Sequence, residues 1–394
     1  MNSKKKLLSR KDMRICLALF ALMFFSMYFP YNRTLAIVYQ VLALAIGLVI
    51  CRDNSWGIAI IVILNTTREY IAVSTTSEFA MHYSLNGIIL LLFIMILVAI
   101  KLYEKNWHLE IQPANVILLL FGLQLLLSEV WVSNKEEYTS YFPAICALYI
   151  IGCLILENKS AKKTGLLTFI FSGFFMAVGI IPFYLGSGSL TDLTILINGN
   201  GLLVDRNYQS LFLVICILSA VIFLIEYGKV CGIWFWGFSI GVIIADIFII
   251  VVGASRSALL TLVVALLVYI ITNAWAIGRN IKIILLLSIV VMMAYNMGFL
   301  DSLLARFTEG DVSSGNGRLD LWAMYINEYG KGSLIQKLFG RGLIGTSIIS
   351  QPAHNLFVSV LFSFGFVGLV TFLCYCMTVV QQCLKDDKNI LVVF

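Results

Sequence analysis

The chain has 394 residues, of which 60% are hydrophobic and 12% charged, with a formal net charge of +6. Its mean hydropathy is +0.96. Soluble domains carry roughly 25% charged residues, so these values exclude a soluble enzyme or a nucleic-acid-binding domain and predict an all-α polytopic membrane protein.

A helical span needs about 20 apolar residues, and the apolar runs predict twelve. They lie near 15–29, 34–50, 56–72, 85–102, 114–132, 141–157, 165–185, 208–227, 232–252, 257–273, 281–299 and 355–380. Barrel strands would instead read as alternating segments of about 10 residues. The third run is interrupted by Asn65, Thr66, Thr67, Arg68 and Glu69, which fits a re-entrant or broken helix. The first run follows a basic stretch, yet Tyr28, Phe29, Pro30 and Tyr31 stand where a cleavage site would be, so it reads as an uncleaved span. The chain accordingly divides into spans one to eleven (1–299), one long outer loop (300–354), and the last span with its tail (355–394).

Lys4, Lys5, Lys6, Arg10, Lys11 and Arg14 hold the amino terminus in the cytoplasm. Alternating from there puts seventeen Lys and Arg inside and ten outside, with both termini cytoplasmic. All nine cysteines fall in spans or on the inner side, as an oxidising exterior favours. Thirteen of the inner cations are Lys, whereas seven of the outer ten are Arg. Lysine is what topology requires; arginine outside fits bidentate recognition of phosphate or carboxylate, including lipid headgroups.

The outer segments hold the candidate chemistry. Asp205, Arg206 and Asn207 stand at the mouth of span eight. GASRSALL places Arg256 at the start of span ten between Ser255 and Ser257, both possible caps, and a helix start carries free amides that favour an anion. GNGRLDLWAMYINEYG predicts an amphipathic helix with Trp322 at the interface and Arg318 in the first turn, where a cation opposes the helix dipole and so points to an external anion. In KLFGRGLIGTS, glycines 340, 342 and 345 permit close backbone approach but match no nucleotide fingerprint. His354 and Asn355 lie where the long loop re-enters the membrane, and a histidine there, in the company of arginines, is a candidate acid–base group. Asp246, inside span nine, is expected to pair with a nearby cation such as Arg256. Glu309 and Asp311 are a minor candidate for a divalent cation; no cofactor and no metal site of zinc-ligand spacing is expected.

From about Asp205 to Gly368 these motifs, in this order, resemble the O-antigen ligase and Wzy-type polysaccharide polymerase family of bacterial membrane glycosyltransferases. The resemblance rests on DRN, GASRSAL, GNGRLDLW, GRG, and HN followed by a span containing FGFVGL. It implies glycan transfer from an isoprenoid pyrophosphate carrier at the outer face of the cytoplasmic membrane, without nucleotide sugar. Residue by residue, it implies that Arg256 and Arg318 hold the pyrophosphate and that His354 activates or orients the acceptor hydroxyl. Arg206, Arg341 and Asn355 would support substrate binding. Expected partners are the lipid-linked oligosaccharide, membrane lipids, and a chain-length regulator or flippase of the same pathway. Relatives often continue into a further apolar segment where this chain reads KDDKNILVVF, which leaves the span count open. The competing class is a transporter, but a twelve-span facilitator usually has its longest loop at the centre and inside. Here that loop precedes the last span, on the outer side.

Overall fold

The computed structural model describes residues 113–128, 159–187, 194–197, 200–203, 206–229, 231–253, 255–272, 317–342, 349 and 353–386, with isolated helical positions from 278 to 295. These form helices α1 (Pro113–Ser128), α2 (Lys159–Ser187), α3 (Arg206–Tyr227), α4 (Ile233–Val252), α5 (Arg256–Thr272), α6 (Arg318–Lys331), α7 (Leu334–Phe339) and α8 (Leu356–Asp386). A two-stranded hairpin, β1 (Thr194–Ile197) and β2 (Asn200–Leu203), precedes α3. Its antiparallel register pairs Ile197 with Asn200 and leaves Asn198-Gly199 as the connection, the dipeptide that favours tight hairpins. Among the described residues, three segments are long and apolar enough to cross a membrane, Ser210–Tyr227, Ile233–Val252 and Leu356–Gln382. They coincide with three of the predicted spans; the predicted spans before residue 113, the Glu309 and Asp311 pair, His82 and His108 lie outside the described residues.

Two compact units emerge. In the first, α3 packs against α2, α4 and α5. Leu213, Cys216, Ala220 and Phe223 on α3 are fully buried. Rings interleave between helices, with Phe174 against Phe238 at 5.2 Å and Phe223 against Phe235 at 5.2 Å between centroids. On α5, Ala258, Leu262, Leu266 and Tyr269 are buried, while Leu260, Val263, Val264, Leu267 and Ile271 are exposed. Burial is thus helically periodic although both faces are apolar, as expected where the surrounding solvent is lipid. Lys163 near the start of α2 acts electrostatically on Cys231 in the turn before α4, so these two lie at one end of the bundle. The sequence assigns that end to the cytoplasm.

Gly173 is a notch in this core. A Cβ there would collide with the Asp246 carboxylate and stand 2.9 Å from Cβ of Cys216. Small residues allow such close helix approach in membranes. Both carboxylate oxygens of Asp246 are buried without a hydrogen-bond partner among the described residues; the side chain of Arg256, its expected partner, lies outside the described residues.

The second unit contains α1, α6, α7 and α8, and it is organised around a break. Gly365 adopts φ 70°, ψ −172° within α8. The break falls nine residues into an apolar span, where unpaired backbone groups cost several kcal/mol each. Carbonyls that would have bonded residues 366 to 368 find other donors. Phe362 O accepts from Arg341 N at 3.1 Å and Ser363 O from Gly342 N at 2.8 Å. Phe364 O accepts from Gln124 Nε2 of α1 at 3.1 Å. The same amide nitrogen also reaches Phe339 O at 3.1 Å, tying the end of α7 to the break. Gly340, at φ 87°, lies so close that a Cβ would collide with the Ser363 carbonyl. The GRG and FGF motifs are therefore two halves of one backbone junction.

Candidate active site

Residues 318, 322, 325 and 329 recur at helical spacing and form one face of α6. Tyr325 is 3% exposed and meets Phe362 of α8 edge-on at 5.1 Å. With Ile349, Ala353 and Phe362 it forms a small core, flanked by Leu321, Tyr329 and Val358. Burial raises the Tyr325 phenol above its ordinary pKa, opposed by a backbone hydrogen bond with Ala353. Tyr329 is also raised by burial, and its hydroxyl donates to Lys337 O at 2.7 Å. Ser333 opens α7 with a capping box in which its hydroxyl accepts from Gln336 N at 3.3 Å. Trp322 makes an inward bond that the sequence does not show. Its indole is half-buried, and its Nε1–H donates to Ala353 O at 2.8 Å.

His354 is exposed and takes a left-handed conformation, φ 49°. Non-glycine residues seldom do so, although His and Asn tolerate it better than most. Asn355 follows as the N-cap of α8. Its Oδ1 accepts from Phe357 N at 3.0 Å and Val358 N at 3.3 Å. The exposed imidazole thus stands between a buried alanine and a fixed helix cap.

The arginines separate into two kinds. Arg206, Arg256 and Arg318 are the first residues of α3, α5 and α6. A cation opposes the helix dipole there, so an anion beside each would relieve the conflict. Lys159 opens α2 in the same way, at the end the sequence places in the cytoplasm. Arg318 is exposed, and the preceding Gly317, at φ 76°, provides no side-chain cap. Next to Arg256, the hydroxyls of Ser255 and Ser257 bond each other at 3.4 Å. Arg341 is of the other kind. Its Nη2 donates to Glu328 O at 2.8 Å and its guanidinium lies 5.8 Å from the Phe362 ring centre. That arginine holds α6 to the α8 junction.

Within the second unit, the site therefore brings together α6, opened by Arg318, and the Ala353–Asn355 turn that presents His354. The sequence singled out His354, Arg318 and Asn355 by their motifs, and the structure places all three in this unit. Sequence reading missed Tyr325 and the inward bond of Trp322, although their spacing of three already put them on one helix face.

Apolar membrane-spanning helices and a polar corner beside the last of them define an integral membrane protein. Residues 241–373 match the O-antigen ligase family model, in agreement with the O-antigen ligase and Wzy-type resemblance of the motifs. The match includes Arg256, Arg318, Arg341, His354 and Asn355, and it stops short of Arg206 on the amino-terminal side. It supports an enzyme of the glycosyl-transfer type, acting on lipid-linked glycans in polysaccharide biosynthesis. No curated protein and no solved structure matches the chain.

Proposed function

We propose that this protein is a polymerase joining lipid-linked oligosaccharide repeat units into a surface polysaccharide at the outer face of the cytoplasmic membrane. The observation that carries a transferase is the exposed His354, set in a left-handed backbone on a turn fixed at both ends. Residues held in sparsely populated conformations cluster at functional sites.

The acceptor hydroxyl attacks the anomeric carbon of the donor glycan while His354 takes its proton. The bond between that carbon and the phosphate oxygen breaks, and the isoprenoid pyrophosphate leaves with the electron pair. Hydroxyls are weak nucleophiles, and a positioned general base raises the rate by about 10² to 10⁴-fold. Arg318 stabilises the departing pyrophosphate, a task suited to a planar, permanently charged guanidinium. Arg256 and Arg206 are further ligands for carrier phosphates. Arg341 and Asn355 act on the substrate indirectly, through the loop they hold. In polymerisation both reacting partners carry a pyrophosphate, so an outer face rich in arginine has two such anions to bind.

A second reading, ligation of the glycan to lipid A core or another acceptor, is favoured by the description of the matching family. Purified protein in liposomes with a lipid-linked repeat unit and no nucleotide sugar distinguishes the readings. A ladder of lengthening products is expected. A single product that needs added lipid A core would establish the ligase, and carrier exchange between leaflets without transfer would establish a flippase.

A further inference from the structure

His354 needs a fixed position, yet it is exposed on a loop, so something else must supply the rigidity. The peptide plane joining Ala353 to His354 carries both the Ala353 carbonyl and the His354 nitrogen. The Trp322 indole bond to that carbonyl at 2.8 Å therefore fixes the plane about which His354 φ turns. Tyr325, three residues along the same face of α6, forms a second hydrogen bond with the Ala353 backbone. Its ring is wedged against Phe362, which belongs to the span itself. Ala353 is 1% exposed, so these bonds are shielded from water. On the far side, Ser359 N donates to Asn355 O at 2.9 Å, continuing the α8 ladder up to the turn. Both ends of the turn are held while the imidazole between them stays accessible.

We infer that Trp322 and Tyr325 are positioning residues for His354, acting through the Ala353 backbone. This rests on the transferase reading of His354. The raised pKa of the phenol keeps Tyr325 protonated through the physiological range, so the hydrogen bond with Ala353 does not switch with pH.

The test is turnover of the purified protein with a lipid-linked repeat unit, using Trp322→Phe, Tyr325→Phe and His354→Asn. Phenylalanine keeps the ring and removes only the polar group; asparagine tolerates the left-handed backbone and removes the base. Trp322→Phe is expected to lower kcat by about 10- to 100-fold, the range a misplacement of about 1 Å can produce. The donor KM should stay near the wild-type value. Combined with His354→Asn, it should add no further loss, because residues acting as one unit are non-additive. Losses that multiply in the double variant would mean a general structural role and overturn the inference. So would wild-type rates in both phenylalanine variants while His354→Asn is slow. Full activity in His354→Asn itself would instead overturn the transferase reading of the histidine. If Trp322→Phe fails to accumulate, the same cycle run with Tyr325→Phe, which loses a single oxygen, decides the matter.

Discussion

The two units are held together by different physics. In the α2–α5 bundle, apolar shapes interlock and the close approach at Gly173 is made by a missing side chain. In the α6–α8 corner, named polar groups hold named backbone atoms: Gln124 on Phe339 and Phe364, Arg341 on Glu328, Trp322 on Ala353. Apolar packing in lipid tolerates exchange of one hydrophobic group for another, because dispersion contacts are non-directional. Directed hydrogen bonds within or beside the membrane do not, since an orphaned partner has no water to turn to. The candidate catalytic group sits in the corner built by direction.

The largest expected effect is chemical. His354→Asn should lower glycan transfer by about 10² to 10⁴-fold, measured on the purified protein, and should leave its accumulation in membranes unchanged. Next, Arg318→Lys and Arg256→Lys should each lose most activity with charge preserved, because an ammonium cannot offer a bidentate fork. Full activity in both would make them headgroup anchors.

A pair of glycine substitutions sharpens the contrast between the units. Gly340→Ala would meet the Ser363 carbonyl, and at φ 87° it also strains its own backbone, by about 1–3 kcal/mol. Gly173→Ala would meet the Asp246 carboxylate and Val242, whose side chains can turn, and Cβ of Cys216 at 2.9 Å, which only a small helix shift relieves, but it meets no backbone carbonyl and needs no left-handed φ. Thermal unfolding of the purified variants should show Gly340→Ala as the more damaging. The reverse order would show that close packing at Gly173 matters more to stability than the backbone junction at Gly340, against the contrast between the units. More modestly, Gln124→Leu removes this donor from the buried Phe364 carbonyl and the part-buried Phe339 carbonyl and should cost about 1–3 kcal/mol, seen as a lower unfolding temperature with α1 still in place. The mildest change is Asn327→Cys, at an exposed position of α6. It should be labelled by a membrane-impermeant thiol reagent in intact cells, and labelling only after lysis would place the corner in the cytoplasm. Ser333 is less suitable for this purpose, since its hydroxyl caps α7.

Much of the architecture was legible in composition alone. The predicted spans at 208–227, 232–252 and 355–380 lie within or nearly coincide with α3, α4 and α8, because span length is fixed by bilayer thickness and needs no knowledge of neighbours. The candidate site residues were singled out where a residue departs from its local expectation. A histidine beside a helix cap and arginines at helix starts are anomalies that local rules expose. The Asn198-Gly199 hairpin was a missed local signal, since that dipeptide between two short apolar runs already marks a tight turn.

Tertiary structure decided what each anomaly does. LFSFGFVGLV reads as one uninterrupted apolar helix, and only the arrival of Arg341, Gly342 and Gln124 as donors makes a break at Gly365 affordable in a membrane. The sequence offers Arg341 as an anion ligand; the fold adds a bond from its Nη2 to Glu328 O that the glycine-rich loop by itself does not show. A tryptophan on an amphipathic helix reads as an interfacial residue, and only the fold shows that its N–H is on Ala353. Hydropathy is a property of each segment and survives being read one residue at a time. A hydrogen bond belongs to two atoms, and when they lie 31 or more residues apart, as Trp322 and Ala353 do, only the folded chain records which two they are.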